Sequence, residues 1–240
     1  RFDKTQPFIS ITAILAFLGV ATGVMVLIIA MAIMQGFDKE FERKLFVMNY
    51  PLTVFPKAFD KVDESLLYEL EKEFPDMLFS PYINTQGIIK SGDVMSGVSI
   101  FGVDFERESK VNNVIKNSLV KDTDGINKFD IIIGKALYND LFFKIDQKVT
   151  IVFTELEPNG ISVMPKIKRF DLVNHFSSGL HAYDKSYTYT TLEAIRSIKG
   201  VDDAYIDGIH IYTPNPKKDI ERLKRYIPQS LGIIGWWEQN

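Results

Sequence analysis

Three histidines, His175, His181 and His210, are the only imidazoles on hand for acid–base or metal chemistry. Neither an HExxH nor a GxSxG spacing occurs, so a zinc hydrolase or a serine nucleophile has no residues to rest on. Each histidine reads as a surface or hydrogen-bonded side chain. Carboxylate neighbours such as Asp202 and Asp203 sit in turn-like surroundings and read as solvated. The chain has no cysteine, which excludes disulfides and thiolate metal sites and leaves the redox compartment open. No catalytic residue, no metal ligand and no cofactor is therefore expected. The chemistry that remains is that of apolar surfaces looking for partners, and two stretches carry it. One is the segment Thr154 to Pro165, TELEPNGISVMP, where Pro158 and Pro165 frame an Asn159-Gly160 turn and the apolar Ile161, Val163 and Met164. A connection of about twelve residues with no structure of its own is uncommon and tends to be functional or disordered.

The other stretch runs from Phe8 to Met34 without a charged residue. At about 1.5 Å per residue it is long enough to cross a bilayer core of about 30 Å with some tilt. A cleaved signal peptide is the competing reading, with Ala30-Met31-Ala32 as its small-residue site. A signal sequence, however, has an apolar core of about 7–15 residues, and this run is far longer. Gly19 and Gly23 form a GxxxG with Ala16 and Ala30 near the same face, the pattern that lets another helix approach closely. Glycine is also common in membrane helices for no specific reason. Thr12 and Thr22 can bond back to helix carbonyls. Only Arg1 and Lys4 precede the run, while Lys39, Arg43 and Lys44 follow it, so the count of positive charges does not fix orientation.

The 240 residues are 46% hydrophobic and carry a net charge of -3. That is enough for one spanning helix and about one to two further domains, and the mild acidity argues against a nucleic-acid partner. After Gln35, Phe37, Phe41 and Leu45 recur at spacing four among charges, so the helix is expected to continue as an amphipathic stalk until Asn49-Tyr50-Pro51 stops it. Leu52 to Phe55 reads as a strand. Asp63 caps a helix with Leu66, Leu67, Leu70 and Phe74 on its apolar face, and Met77 to Val103 is a hairpin turning at Ser91-Gly92-Asp93. Far downstream a second unit echoes this one. It has a strand over Ala204 to Tyr212, a helix begun by Asn215-Pro216 with Ile220, Leu223 and Ile227 on one face, and a strand over Leu231 to Trp237. Between the two units, strands are predicted over Phe129–Gly134, Lys148–Phe153, Lys166–Val173 and Ser186–Thr191. Helices are predicted over Lys135–Phe143 and Leu192–Ile198.

The expected fold class is α+β, in three parts. Residues 1–48 are a transmembrane helix and stalk. Residues 49–104 and 200–240 are the split halves of one α/β subdomain, and residues 105–199 are an inserted β-rich subdomain.

The run GVMVLIIAMAIMQGFDKEFERKLF, from Gly23 to Phe46, resembles the first helix and its exit in the lipoprotein-releasing ABC transporter permeases of LolC and LolE type, within the MacB and FtsX-like permeases. DIIIGKALYNDLFFKIDQKVTIV, from Asp130 to Val152, is similar to the strand, glycine, helix and strand of that family's periplasmic core domain. One departure is local: Ile145-Asp146-Gln147 stands where the family uses a Gly-Asp pair, so Asp146 is expected to take up the left-handed turn at some cost. The other is that the family continues into further membrane helices beyond the last residue here, so the chain reads as a fragment.

The resemblance implies a non-enzymatic permease component in the bacterial inner membrane, with its large domain in the periplasm. Its expected partners are a second permease subunit, identical or different, cytoplasmic ATPase subunits, lipoprotein cargo, a periplasmic lipoprotein carrier and membrane lipid, with no nucleic acid. It also implies that Ala30, Ile33, Met34 and Phe37 line a cavity for lipoprotein acyl chains, a task that flexible methionine suits. By the same resemblance Pro158, Asn159, Gly160, Ile161, Val163, Met164 and Pro165 form a hook for the carrier, its prolines lowering the entropy lost on docking. A LolC-like and a LolE-like role both remain open. So do a MacB-type efflux role, an FtsX-type cell-division role and, from another class, the extracytoplasmic half of a membrane receptor.

Overall fold

The computed structural model describes residues 7–45, 48–57, 62–119, 125–153 and 165–238. The chain divides into two compact units, residues 1–45 and residues 46–240. The first is a single helix, α1 (Pro7–Leu45), unbroken over 39 residues. That is about 58 Å of helix at 1.5 Å per residue, more than a bilayer core needs. Within it Ile11–Phe37 is long and apolar enough to cross a membrane. The helix does run on through the charged stalk, as the spacing of Phe37, Phe41 and Leu45 requires.

In the second unit β1 (Leu52–Pro56) and β2 (Val62–Asp63) lead into α2 (Glu64–Glu73), and the hairpin of β3 (Leu78–Ser91) and β4 (Val94–Val103) follows. Two short helices, α3 (Phe105–Val111) and α4 (Asn113–Ser118), precede β5 (Asp130–Gly134), α5 (Lys135–Asp140), β6 (Lys148–Phe153) and β7 (Lys166–Phe176). The chain continues through α6 (His181–Ser186), β8 (Tyr187–Thr191), α7 (Leu192–Lys199), β9 (Tyr205–Ile206) and β10 (Gly208–Tyr212). It closes with α8 (Pro216–Tyr226), β11 (Leu231–Gly235) and a 3-10 turn at Trp236–Glu238.

Nine of these strands make one sheet in the order β11-β1-β10-β3-β4-β8-β5-β7-β6, and β6 returns to pair with β3. β3 is long enough to serve two partners along the same edge. Leu78 to Tyr82 pair with β10, and Gly87 to Lys90 pair with β6. The strands from β3 round to β6 therefore close into a ring, while β10, β1 and β11 extend as an open flap from the first half of β3. Strands from residues 52–103 and from residues 204–237 share this sheet, with Leu52 opposite both Ile211 and Gly235.

The local causes are legible. Asp63 accepts the N–H of Ser65 at 2.8 Å to start α2, whose Leu66, Leu67 and Leu70 are buried. Gly92, in left-handed backbone at φ 57, turns the β3–β4 hairpin. Pro216 begins α8 as expected, but the Asn215 side chain makes no cap bond there; Asp219 instead reaches back to the Thr213 hydroxyl. The helix expected over Lys135–Phe143 ends at Asp140, because Phe142 turns left-handed at φ 53. The β-rich reading of 105–199 misses α3, α4 and α6, each too short for a helical period to register. Their starts were nonetheless available for two of them. Asp104 caps α3 through the N–H groups of Glu106 and Arg107, and Asn112 caps α4 through those of Val114 and Ile115.

Candidate functional site

Ala30, Ile33, Met34 and Phe37 stand at i, i+3, i+4 and i+7, so they form a single stripe on α1. All are exposed, Ile33 at 67%, Met34 at 61% and Phe37 at 62%. A Cβ at Gly19 or Gly23 would meet nothing within 4 Å, so no contact inside this chain calls for either glycine. Thr22 donates to the Leu18 carbonyl at 2.7 Å and is accounted for locally. In water such a helix would be a large uncompensated apolar surface; in lipid it is at home.

Of the loop residues, Pro158, Asn159, Gly160, Ile161, Val163 and Met164 lie outside the described residues, and only Pro165 can be placed. It is exposed and leads directly into β7. The hairpin that carries the segment is firmly built. β6 and β7 pair from Lys148↔Asp171 to Phe153↔Lys166, β6 is paired on its other edge with β3, and Lys166 Nζ donates to the Ile198 carbonyl at 2.8 Å. Two residues beyond Pro165, on β7, Ile167 is 65% exposed.

The motif from Asp130 to Val152 folds as a strand, a glycine, a helix and a strand, and its glycine has a steric reason. A Cβ at Gly134 would stand 2.1 Å from the Asp184 carbonyl oxygen, so α6 can lie this close only against glycine. Asp146 does adopt left-handed backbone, at φ 63, and its N–H donates to the Leu172 carbonyl at 2.8 Å. That bond to β7 helps hold the strained turn in place.

A second polar constellation escapes sequence reasoning. Glu108 on α3 is 0% exposed. Its carboxylate accepts from the Tyr50 hydroxyl and from Ser80 Oγ at 2.7 Å, with Asn112 Nδ2 at 3.4 Å. His210 Nδ1 stands 3.6 Å from the same carboxylate, within ion-pair range if it is protonated, and has no hydrogen-bond partner among the described residues. The imidazole lies face to face with Tyr50 on one side, centroids 3.4 Å apart and planes 6° from parallel, and with Tyr82 on the other at 4.1 Å and 7°. Burial works to raise the Glu108 carboxyl, but the neighbouring His210 and the Tyr50 and Ser80 hydroxyls outweigh it and hold the group below the usual carboxylate range. Burial pushes His210 below the ordinary imidazole value, with Glu108 opposing. Burial likewise pushes Tyr50, Tyr82 and Tyr189 up, leaving them neutral.

The expectation that each histidine is exposed or satisfied is thus corrected for His210, and for His175, whose buried Nδ1 also lacks a hydrogen-bond partner among the described residues. His210 hides in the alternation GIHIY, which normally sends Ile209 and Ile211 inward and His210 out, whereas here both faces of β10 are covered. Glu108 hides in FERESKV, where charges at helical spacing read as a solvated face. Among the described residues no cluster of three or more His, Asp or Glu side chains is placed to hold a metal ion.

The sequence profile of the MacB-like periplasmic core domain family matches residues 13–222, through both the apolar helix and the domain. The lipoprotein-releasing system transmembrane protein LolC of Neisseria meningitidis serogroup B is 27% identical over 245 residues, covering 98% of this chain and 57% of its own length. The lipoprotein-releasing system transmembrane protein LolE of Haemophilus influenzae is 21% identical, covering 98% of this chain and 59% of its own length. The chain thus spans less than two thirds of these relatives. Among solved structures, the extracellular domain of the noncanonic ABC-type transporter YknZ from Gram-positive bacteria superposes with a TM-score of 0.54 at 11% identity, over 77% of this chain and 99% of that one. The expected α+β fold and the resemblance to LolC and LolE both hold.

Proposed function

The chain belongs to the MacB-like periplasmic core domain family, and on that premise we propose that it is the first membrane helix and periplasmic domain of an ABC permease that releases lipoproteins from the bacterial inner membrane to a periplasmic carrier. The observation that carries this reading is the continuity of the likeness to LolC through α1 and the whole second unit alike. A shared domain fold alone would fit an efflux or cell-division permease as well. Here the likeness to LolC of Neisseria meningitidis extends over 98% of the chain at 27% identity, the apolar helix included, where cargo lipid would have to be met.

In this reading ATP is hydrolysed on separate cytoplasmic subunits, and the chain itself is no enzyme and holds no cofactor. A second permease subunit faces α1, packing against Gly19 and Gly23. The stripe of Ala30, Ile33, Met34 and Phe37 lines the space that receives acyl chains. Extraction needs energy because each buried CH₂ contributes about 0.8 kcal/mol to anchoring, so a multiply acylated protein does not leave unaided. Residues 49–104 with 200–240 and residues 105–199 act as the two parts of the periplasmic body, and the segment from Pro158 to Pro165 docks the carrier. The rigid β6–β7 ladder supports that assignment, since it would hold a docking loop in a fixed direction.

Photocrosslinking tests the helix assignment. In the full-length permease assembled with its partner subunits, a photoreactive residue at Met34 is expected to capture acylated cargo, and the same residue at Met25, on another face of α1, is not. Capture of cargo at Met25 with none at Met34 would remove the assignment.

A further inference from the structure

The buried constellation is left unused by this function, yet it sits where the chain joins the domain. Met48 is buried, Asn49 Oδ1 accepts from the Tyr183 hydroxyl at 3.3 Å, and Tyr50 donates to Glu108. Pro51 then accepts the N–H of Trp236 at 3.4 Å, and Leu52 opens β1 opposite Gly235, the last residue of β11. The first and last described strands of the domain therefore run side by side.

We infer that Tyr50, Glu108 and His210 form a buried clamp that fastens residues 48–51 to the sheet and that opens when His210 takes a proton. The imidazole is enclosed between two tyrosine faces and its Nδ1 finds no hydrogen bond. A neutral ring fits that slot; an imidazolium would carry its charge into a buried site, and the one carboxylate beside it, Glu108 at 3.6 Å, offsets that cost only in part. The two plates are not held equally. Tyr82 stands on β3, inside the sheet, whereas Tyr50 stands on the short stretch before β1, outside any helix or strand. The plate that moves to let water reach a charged His210 is Tyr50, and its movement also breaks its bond to Glu108.

The groups facing the imidazole from every packed element are Glu108 on α3, Tyr50 before β1 and Tyr82 on β3, with Tyr189 on β8 behind Tyr50. The tyrosines stay neutral and Glu108 stays ionised through the mildly acidic range, so His210 alone changes charge there. The sign follows. A histidine held below its ordinary value of about 6.5 binds a proton more readily in the open form than in the closed one. The clamp is at full strength above that value and weakens as the pH falls through it and below. Glu108, also held low, adds a further loss in the same direction at more acidic pH.

The clamp deepens the proposed function, for which it would secure the residues with which the periplasmic body begins. Its test reads the clamp and no transport, so the two can fail separately. Hydrogen exchange is followed on the full chain in detergent micelles at pH 7.5 and 5.5, with rates corrected for intrinsic exchange. In the unmodified chain, acidification is expected to speed exchange over residues 48–56 at least tenfold and to leave β5 unchanged. In His210→Phe, which keeps a stacked ring, the acceleration is expected to fall below twofold. Tyr50→Phe gives a second reading if His210→Phe fails to fold. It is expected to exchange several-fold faster at pH 7.5 already, with less than twofold added by acid. Acid that slows exchange over 48–56, acceleration shared equally by β5, or unmodified behaviour in either variant would overturn the clamp.

Discussion

α1 and the cluster around Glu108 invert the same rule in opposite ways. The helix puts its apolar side chains outside, with Ile33, Met34 and Phe37 all more than 60% exposed, and the cluster puts a carboxylate inside at 0% exposure. Each inversion has found its own solvent. For the helix that solvent is lipid and, in the function proposed above, the acyl chains of cargo at the stripe from Ala30 to Phe37. For Glu108 it is a set of donors from the segment before β1, from β3 and from Asn112 just after α3, brought together from several parts of the chain. The helix leaves its apolar side chains open to its surroundings, whereas the cluster has already consumed its partners in fastening the fold. An apolar surface left open points outward to function, and a polar group enclosed points inward to a joint.

The contrast breaks most visibly at Glu108. Replacing it by Ala leaves Tyr50 and Ser80 with no acceptor and is expected to cost about 3–5 kcal/mol of stability, the scale for breaking a buried polar pair. Glu106→Ala, two residues earlier on the same helix, removes only an exposed pair with Lys110 and should leave the melting temperature within error. Thermal unfolding of both variants in detergent checks this, and equal losses would mean that burial is not what matters at Glu108.

The outward side of the comparison is sharpened at the loop. Ile161→Asp or Met164→Asp is expected to weaken carrier binding by about 1–3 kcal/mol, the scale of one or two interface anchors, with folding nearly unchanged. Carrier titration with the full-length permease, beside a melting curve, is the measurement. Unchanged affinity in a folded double variant would make the segment a long turn with no hook function.

Legibility in the sequence divides along the same line. The β3–β4 hairpin could be read because Ser91-Gly92-Asp93 marks its turn, the start of α8 because Pro216 marks it, and α1 because no charge interrupts it. These are local signals. The closure of β6 onto β3 could not be read, since the register between Gly87 and Phe153 is set by strands far apart in the chain. The cluster could not be read for a related reason: Tyr50, Ser80, Glu108 and His210 each look ordinary in their own segment and acquire meaning only when the sheet assembles. Asp146 lies between these cases. The resemblance placed a turn there, and the backbone takes the left-handed form without glycine.

The smallest expected effect follows from that position. Asp146→Gly removes the cost of holding a side chain in left-handed backbone but adds freedom to the unfolded chain, so a net gain below about 1 kcal/mol is expected. Denaturant unfolding should show a slightly raised midpoint with an unchanged slope. A loss of more than about 1 kcal/mol would mean that the Asp146 carboxylate itself holds the turn.

Reconstituted transfer asks whether this chain forms part of a lipoprotein-releasing permease. The full-length permease and its ATPase subunits are placed in vesicles loaded with a triacylated lipoprotein, and the periplasmic carrier is added outside. The acylated cargo is expected to move to the carrier only with hydrolysable ATP, and Met34→Asp is expected to abolish the transfer while ATP hydrolysis continues. A complex that hydrolyses ATP but leaves the acylated cargo in the membrane would contradict that role.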